Sequence, residues 1–105
     1  MEIKSTLIIL YVVKTIKDME KTYIKFKEYK VKHQDCIILM RCGDFYETYD
    51  DDAKDTSSIC GVTLNHYYKN DFKEEYYVCG FPYHALDTYL PKLIRAGKRV
   101  AIADY

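Results

Sequence analysis

The sequence predicts a single α/β domain of the α+β type, in which about three helices flank a mixed β-sheet. The chain has 105 residues, enough for one domain with one modest hydrophobic core. Hydrophobic residues make up 49% of the chain and charged residues 30%, a balance typical of folded proteins rather than disordered segments. Helix-like and strand-like hydrophobic patterns alternate along the chain, which indicates helices packed against a sheet.

An amphipathic helix is predicted near the N-terminus. Thr15 to Asp18 match a capping box, in which side chains satisfy the free amides at a helix start. Apolar residues then recur every three or four positions, opposite a row of lysines: Ile16, Met19, Tyr23 and Phe26. This pattern predicts a helix from about 16 to 33 and assigns the folded domain to residues 16–105. Residues 1–15 form an apolar extension whose run from Leu7 to Val13 either adds a strand or extends the helix.

Two strands and a second helix are predicted next. Cys36 to Met40 is a continuous apolar run, as expected for a strand buried on both faces. After an interruption at Gly43, alternation of side-chain type resumes from Phe45 to Tyr49 and predicts a second strand. Asp50 is the expected N-cap of the following helix, and Gly61 is placed to end it.

The C-terminal part of the chain predicts three strands around one helix. Val62 to Leu64 is a short strand candidate, His66 to Glu75 a loop or hairpin, and Tyr76 to Phe81 another strand. A helical stripe follows and leads to a last strand at Val100 to Ile102; its members are Leu86, Leu90, Leu93 and Ile94. Pro91 conflicts with that helix, so the helix either starts late or bends there.

Charge and cysteine content narrow the classes of function. The chain has 16 basic and 16 acidic residues, which argues against binding nucleic acid through bulk electrostatics alone. The middle is acidic, since residues 35–78 carry ten acidic and four basic residues. Four cysteines with no C-x-x-C pair are expected to be free thiols in a reducing compartment.

Phe45 and Glu47 are the first candidate site residues. Two residues along a strand span about 6.6 Å, so the ring and the carboxylate project from one face. If this face is buried, the Glu47 carboxylate loses its hydration, which costs free energy unless a partner compensates. If the face is exposed, the apolar ring of Phe45 is left in water, which is also unfavourable. The residues alone favour an edge position with a partly covered Phe45.

Catalytic alternatives have little support in the sequence. A cluster of acidic residues lacks the spacing of a calcium loop, and helix capping and a solvated first helical turn explain most of its members: Asp44, Glu47, Asp50, Asp51, Asp52 and Asp55. No nucleophile motif accompanies the scattered histidines, and no glycine-rich phosphate loop is present. The chain is therefore expected to have no catalytic residues, metal ligands or cofactors, with a small nuclease as the catalytic alternative.

Three segments carry a family resemblance. They read "DCIILMRCGDFYETYDDDAKD", "VTLNH" and "GFPYHALDTYLPKLIRAGKRVAIADY". Together they closely resemble the N-terminal mismatch-recognition domain of the MutS family of DNA mismatch-repair proteins, from about residue 18 to the end. In that family the Phe of a Phe-x-Glu motif enters the minor groove at a mispaired or unpaired base, and the Glu contacts the base. The resemblance assigns these roles to Phe45 and Glu47.

The resemblance also implies partners and a location. Double-stranded DNA with mismatches or small loops is the expected partner, alongside other MutS-type domains or repair proteins. No association with a membrane is expected. Arg41, His66, Lys69 or nearby groups are candidate contacts to the DNA backbone. ATP binding belongs to other domains of the long family members, and the location is cytoplasmic, at the nucleoid if bacterial. The alternative is a stand-alone protein-interaction module that retains the fold and binds through its tyrosine-rich surface and apolar N-terminus.

Overall fold

The computed structural model describes residues 21–69 and 74–104, with only the backbone at positions 68, 69 and 74. The N-terminal extension, the capping box and the predicted start of the first helix lie outside these residues. None of the described helices is both long and apolar enough to cross a membrane.

The described elements form a mixed sheet with three α-helices, which confirms the predicted fold class. Helix α1 covers residues 21–32. The remaining elements are β1 (Cys36–Cys42), β2 (Phe45–Tyr49), α2 (Asp50–Cys60), β3 (Asn65–Lys69), β4 (Glu74–Pro82), a short 3-10 helix (Tyr83–Ala85), α3 (Leu86–Arg95) and β5 (Arg99–Ala103). The strand order is β3-β4-β2-β1-β5, so β2 is the central strand. Only the β1–β5 pair is parallel among the described strands.

The two faces of the sheet carry separate hydrophobic clusters because neighbouring residues of a strand point to opposite faces. Ile38 and Met40 of β1 pack on one face with Phe26 of α1. Ile37 and Leu39 pack on the other face, against residues of α2 and α3 that include Leu93. The continuous apolar run of β1 is thus explained by helices on both sides of the sheet.

The prediction of a strand at Val62 to Leu64 is wrong, because these residues form no strand. The third strand lies three residues later, at Asn65–Lys69, and pairs with β4 as a hairpin, which was one of the two predicted alternatives for His66 to Glu75. Cross-strand ring contacts stabilise it, with Tyr67 lying 5.7 Å from Tyr76 between ring centroids. Val62 instead closes the end of α2, where its carbonyl accepts a hydrogen bond from Ser57 Oγ at 2.6 Å.

Asp50 does not cap α2 as predicted. The N-cap is Tyr49, whose side chain makes no capping hydrogen bond. Asp50 has a φ of 53°, in the left-handed region that Asp tolerates better than most residues. Its carboxylate accepts hydrogen bonds from the Tyr23 hydroxyl at 2.7 Å and the Tyr77 N–H at 3.4 Å. Asp50 therefore connects α1 and β4 instead of satisfying its own helix.

Other predicted boundaries agree with the structure. Gly61 ends α2 with a φ of 75°, and its N–H donates to the Ser57 carbonyl. The last strand includes the predicted Val100 to Ile102. Helix α3 begins at Leu86, so Pro91 lies inside it and the late-start alternative is wrong.

Candidate nucleic-acid interface

Phe45 is the first residue of β2 and follows a tight turn at Gly43, whose φ is 59°. Its backbone lies between Cys42 of β1 and Pro82 of β4. The ring is 49% exposed, although neighbouring Tyr46 is buried on the opposite face. The edge position expected from the residues alone is wrong: β2 is central, and Phe45 is exposed at the end of the strand.

Glu47 lies on the same face as Phe45, two residues further into the sheet. Its neighbours across the strands are Met40 of β1 and Gly80 of β4. Because Gly80 has no side chain, it leaves space beside Glu47: a Cβ there would lie 3.3 Å from Glu47 Cγ. The carboxylate is half-buried and accepts a hydrogen bond from the Tyr49 hydroxyl, with 2.7 Å between Tyr49 O and Glu47 Oε2.

Burial raises the pKa of the Glu47 carboxyl, and the hydrogen bond from Tyr49 partly opposes that effect. Burial and the charge of Glu47 also raise the pKa of the Tyr49 hydroxyl, so Tyr49 remains a proton donor. Tyr49 is fully buried, and its ring packs against Tyr23, Phe26 and Tyr76 at centroid distances of 5.2, 5.3 and 6.4 Å. The donor to Glu47 is therefore held in place by the core.

Arg41 lies at the same end of the sheet but on the other face, opposite Tyr46. Its Nε donates a hydrogen bond to the Gly43 carbonyl at 2.6 Å. Its guanidinium lies 4.1 Å from the centroid of the Tyr83 ring, which is 43% exposed. The side chain thus braces the turn before Phe45, and a contact to the DNA backbone stays a prediction.

His66 and Lys69 lie towards the other end of the sheet. His66 stacks on Tyr77 at 4.3 Å between ring centroids and pairs with Glu75 at 3.1 Å. Lys69 is opposite Glu74 at the end of the β3–β4 ladder. Tyr77 is five residues along β4 from the partner of Phe45, which corresponds to about 17 Å. The structure brings together Phe45 and Glu47, but not His66 or Lys69, whose contacts to DNA stay predictions.

The acidic residues at the start of α2 are not all solvated, contrary to the sequence-based interpretation. Asp51 is exposed, but Asp52 is 5% exposed and accepts hydrogen bonds from Lys30 Nζ at 2.8 Å and the Ile38 N–H at 3.1 Å. Within residues 21–69 and 74–104, no group of three or more His, Cys, Asp or Glu is arranged to hold a metal ion. All four cysteines are free, as predicted.

Tyr49 and Gly80 are neighbours of Glu47 that sequence reasoning missed. The alternating pattern of β2 already placed Tyr49 on the face of Glu47, which was the available signal. The hydrogen bond itself depends on the rotamers of both side chains. Gly80 had no local signal, because its position opposite Glu47 depends on the register of β4.

A family model described as MutS domain I matches residues 17–105. The chain belongs to this family. "DNA mismatch repair protein MutS" of Phocaeicola vulgatus is 59% identical over 80 residues, and that of Bacteroides thetaiotaomicron 58% identical over 80 residues; each alignment covers 76% of this chain. The Salinibacter ruber protein of that name is 49% identical over 84 residues, or 80% of this chain. The chain aligns with about 9% of the length of each of these MutS proteins.

Proposed function

We propose that this chain binds DNA duplexes containing a mispaired or unpaired base, with Phe45 entering the minor groove and Glu47 contacting the displaced base. The half-exposed ring of Phe45 beside Glu47, at the end of a strand paired on both sides, carries the proposal. Membership of the MutS domain I family, and the mismatch-repair proteins related to the chain, support mismatched DNA as the ligand. The chain acts by binding, without catalysis of its own.

The position of Phe45 suits an apolar wedge. Because the ring is 49% exposed, it lacks about 1 kcal/mol of the stabilisation that full burial would give. A base stacked on the ring would restore it. The backbone of Phe45 is paired with both neighbouring strands, so the ring is presented from a rigid support.

A wedge of this kind selects weak base pairs rather than a base sequence. Inserting an apolar side chain unstacks a base step and kinks the duplex, at a cost of a few kcal/mol. The cost is smaller where pairing is already defective, and stacking on the ring returns about 1–3 kcal/mol per base. The lower cost of unstacking at a defective base pair therefore gives a preference for mismatched over fully paired duplex.

Glu47 adds discrimination at some loss of affinity. A carboxylate near phosphates is repelled, and a hydrogen bond to a displaced base offsets this repulsion only where such a base exists. The net charge of zero agrees with weak intrinsic affinity for the DNA backbone. We propose that regions of the longer MutS relatives outside the aligned 9% supply most phosphate contacts.

The test is fluorescence anisotropy at low salt, with a labelled duplex containing one unpaired thymine and a fully paired duplex. Wild type should prefer the duplex with the unpaired base, and Phe45→Ala should abolish that preference while keeping the fold. Ile94→Ala is the matched control, because Ile94 is 54% exposed on α3, the helix that packs on the face of the sheet opposite to that of Phe45. A Phe45→Ala protein with an undiminished preference would refute the wedge.

The second candidate is a protein-interaction module, favoured by the outer surface of α1. Ile24 is 53% exposed and Val31 is 72% exposed, and they lie two helical turns apart on one face. This candidate predicts no DNA binding at low salt, together with self-association or capture of a protein that Val31→Lys weakens. Sedimentation velocity measures the self-association.

A further inference from the structure

We propose that Tyr49 is a positioning residue for DNA recognition, whose buried hydroxyl holds the Glu47 carboxylate in the orientation that contacts a displaced base beside Phe45. The inference rests on the proposed function of Phe45 and Glu47. Its distinct claim is that Tyr49 acts through Glu47 and without touching DNA.

The contact has the geometry of a strong hydrogen bond. The distance of 2.7 Å between the Tyr49 oxygen and Glu47 Oε2 is typical of a hydroxyl that donates to an ionised carboxylate. The two residues are separated by one position of β2, so both side chains project from the same face. The bond therefore runs along the strand, from the covered core towards Phe45.

Tyr49 is a well-packed support for this hydrogen bond. The residue is fully buried, and rings of α1 and β4 surround it. Turning the hydroxyl away from Glu47 would leave a buried donor without an acceptor, which costs about 1–3 kcal/mol. Glu47 is only half-buried, so it is the side chain expected to adjust to the position of the hydroxyl.

The other carboxylate oxygen is left available. The bond from Tyr49 uses Oε2, and no hydrogen bond found among residues 21–69 and 74–104 reaches Glu47 Oε1. Met40 and Gly80, the cross-strand neighbours, offer no polar side chain. Tyr49 is thus the described polar group that orients Glu47, and Oε1 is the oxygen that a base N–H would reach.

The surroundings of Glu47 contain few other titratable groups. Cys42 of β1 lies on the same face, opposite Phe45, and Cys79 of β4 is close enough for the charge of Glu47 to raise its pKa. From α1, the Tyr23 hydroxyl donates to Asp50. None of the ion pairs between described residues includes Glu47. The Tyr49 hydroxyl is therefore the group expected to keep Glu47 ionised against the effect of burial.

The experiment compares wild type, Tyr49→Phe and Tyr46→Phe in the 105-residue chain. Tyr49→Phe keeps the ring in the core and should reduce the preference for the unpaired-thymine duplex about threefold to tenfold, the effect of one hydrogen bond. Carboxyl ¹³C NMR without DNA should show the pKa of Glu47 rising in this variant. Tyr46→Phe makes the same change on the opposite face of β2, where the hydroxyl has no described hydrogen bond, and should match wild type.

A double-mutant cycle separates positioning from a general effect on the fold. In a Glu47→Ala background, Tyr49→Phe should cause no further loss of preference. An equal loss in that background would overturn the inference, as would an unchanged pKa of Glu47 or an undiminished preference in Tyr49→Phe. A wild-type chain with no preference for the unpaired thymine would overturn both the proposed function and the role of Tyr49. A wild-type preference that Tyr49→Phe leaves unchanged would overturn only the role of Tyr49.

Discussion

Gly80 lies directly opposite Glu47 across the β2–β4 ladder, so the acid has space in a closely paired part of the sheet. A Cβ at position 80 would approach the Tyr46 carbonyl oxygen to 2.8 Å and Glu47 Cγ to 3.3 Å. The first contact involves backbone and is not relieved by a side-chain rotation. The second would displace the carboxylate.

Gly80→Ala should therefore lower both the free energy of unfolding and the preference for mismatched DNA. Overpacking of this kind costs about 1–3 kcal/mol, measured by urea denaturation. The double variant Gly80→Ala/Glu47→Ala relieves the side-chain contact but not the backbone contact, so stability should recover only in part. Full recovery would show that the carbonyl contact is unimportant.

Glu47→Gln should stabilise the protein more at pH 7.5 than at pH 4.5. Burial raises the pKa of Glu47 in the folded state above its unfolded value of about 4.3, so between these two pKa values the folded protein binds more protons than the unfolded chain. The stability contributed by the protonated form is lost as pH rises through the folded pKa, and a neutral Gln avoids that loss. Urea denaturation at both pH values measures the difference; Glu28→Gln, on an exposed helix surface, controls for net charge. An equal effect at both pH values would contradict the prediction.

Lys30→Met should destabilise the fold by about 1–3 kcal/mol at pH 7, because it leaves the buried Asp52 carboxylate without its cation. Burial raises the pKa of Asp52, so protonation should reduce this loss at low pH. Lys25→Met removes a cation from an exposed pair with Glu28 and should change stability by less than about 0.5 kcal/mol. Similar losses in the two variants would show that the buried pair has no special role.

Thiol reactivity should divide the cysteines into two pairs. Burial raises the pKa of Cys79 to about 12 and also raises that of Cys60, whereas Cys36 and Cys42 are only half-buried. Because the thiolate is the reactive form, an aromatic disulfide reagent at pH 8 should modify two thiols quickly and two only in urea. Cys42→Ser should remove one fast thiol. Rapid labelling of Cys79 in the native protein would show that β4 opens readily.

Phe45→Ala should cost about 1 kcal/mol of stability or less, because its ring is 49% exposed. Leu93→Ala, at a fully buried position between α3 and the sheet, should cost about 2–5 kcal/mol. Thermal or urea unfolding measures both. A Phe45→Ala protein that unfolds would mean that the ring supports the fold, and a loss of DNA preference would then have a structural cause.

Elements with local sequence signals were predictable before the structure was known. The lysine-flanked apolar stripe predicted α1 over its described part, and the apolar run of β1 predicted a strand buried on both faces. Gly61 marked the end of α2 because an αL conformation suits glycine. The Phe-x-Glu spacing placed Phe45 and Glu47 on one face, and the surrounding segments identified the MutS family.

Features that depend on partners distant in the chain could not be predicted from local signals. Asn65–Lys69 forms β3 because β4 supplies its hydrogen bonds and ring contacts, although Val62 to Leu64 has the stronger local strand pattern. Asp50 bonds to groups 27 residues away in both directions instead of capping its helix. The space beside Glu47 and its bond to Tyr49 follow from strand register and core packing, because burial and cross-strand contacts outweigh local propensity.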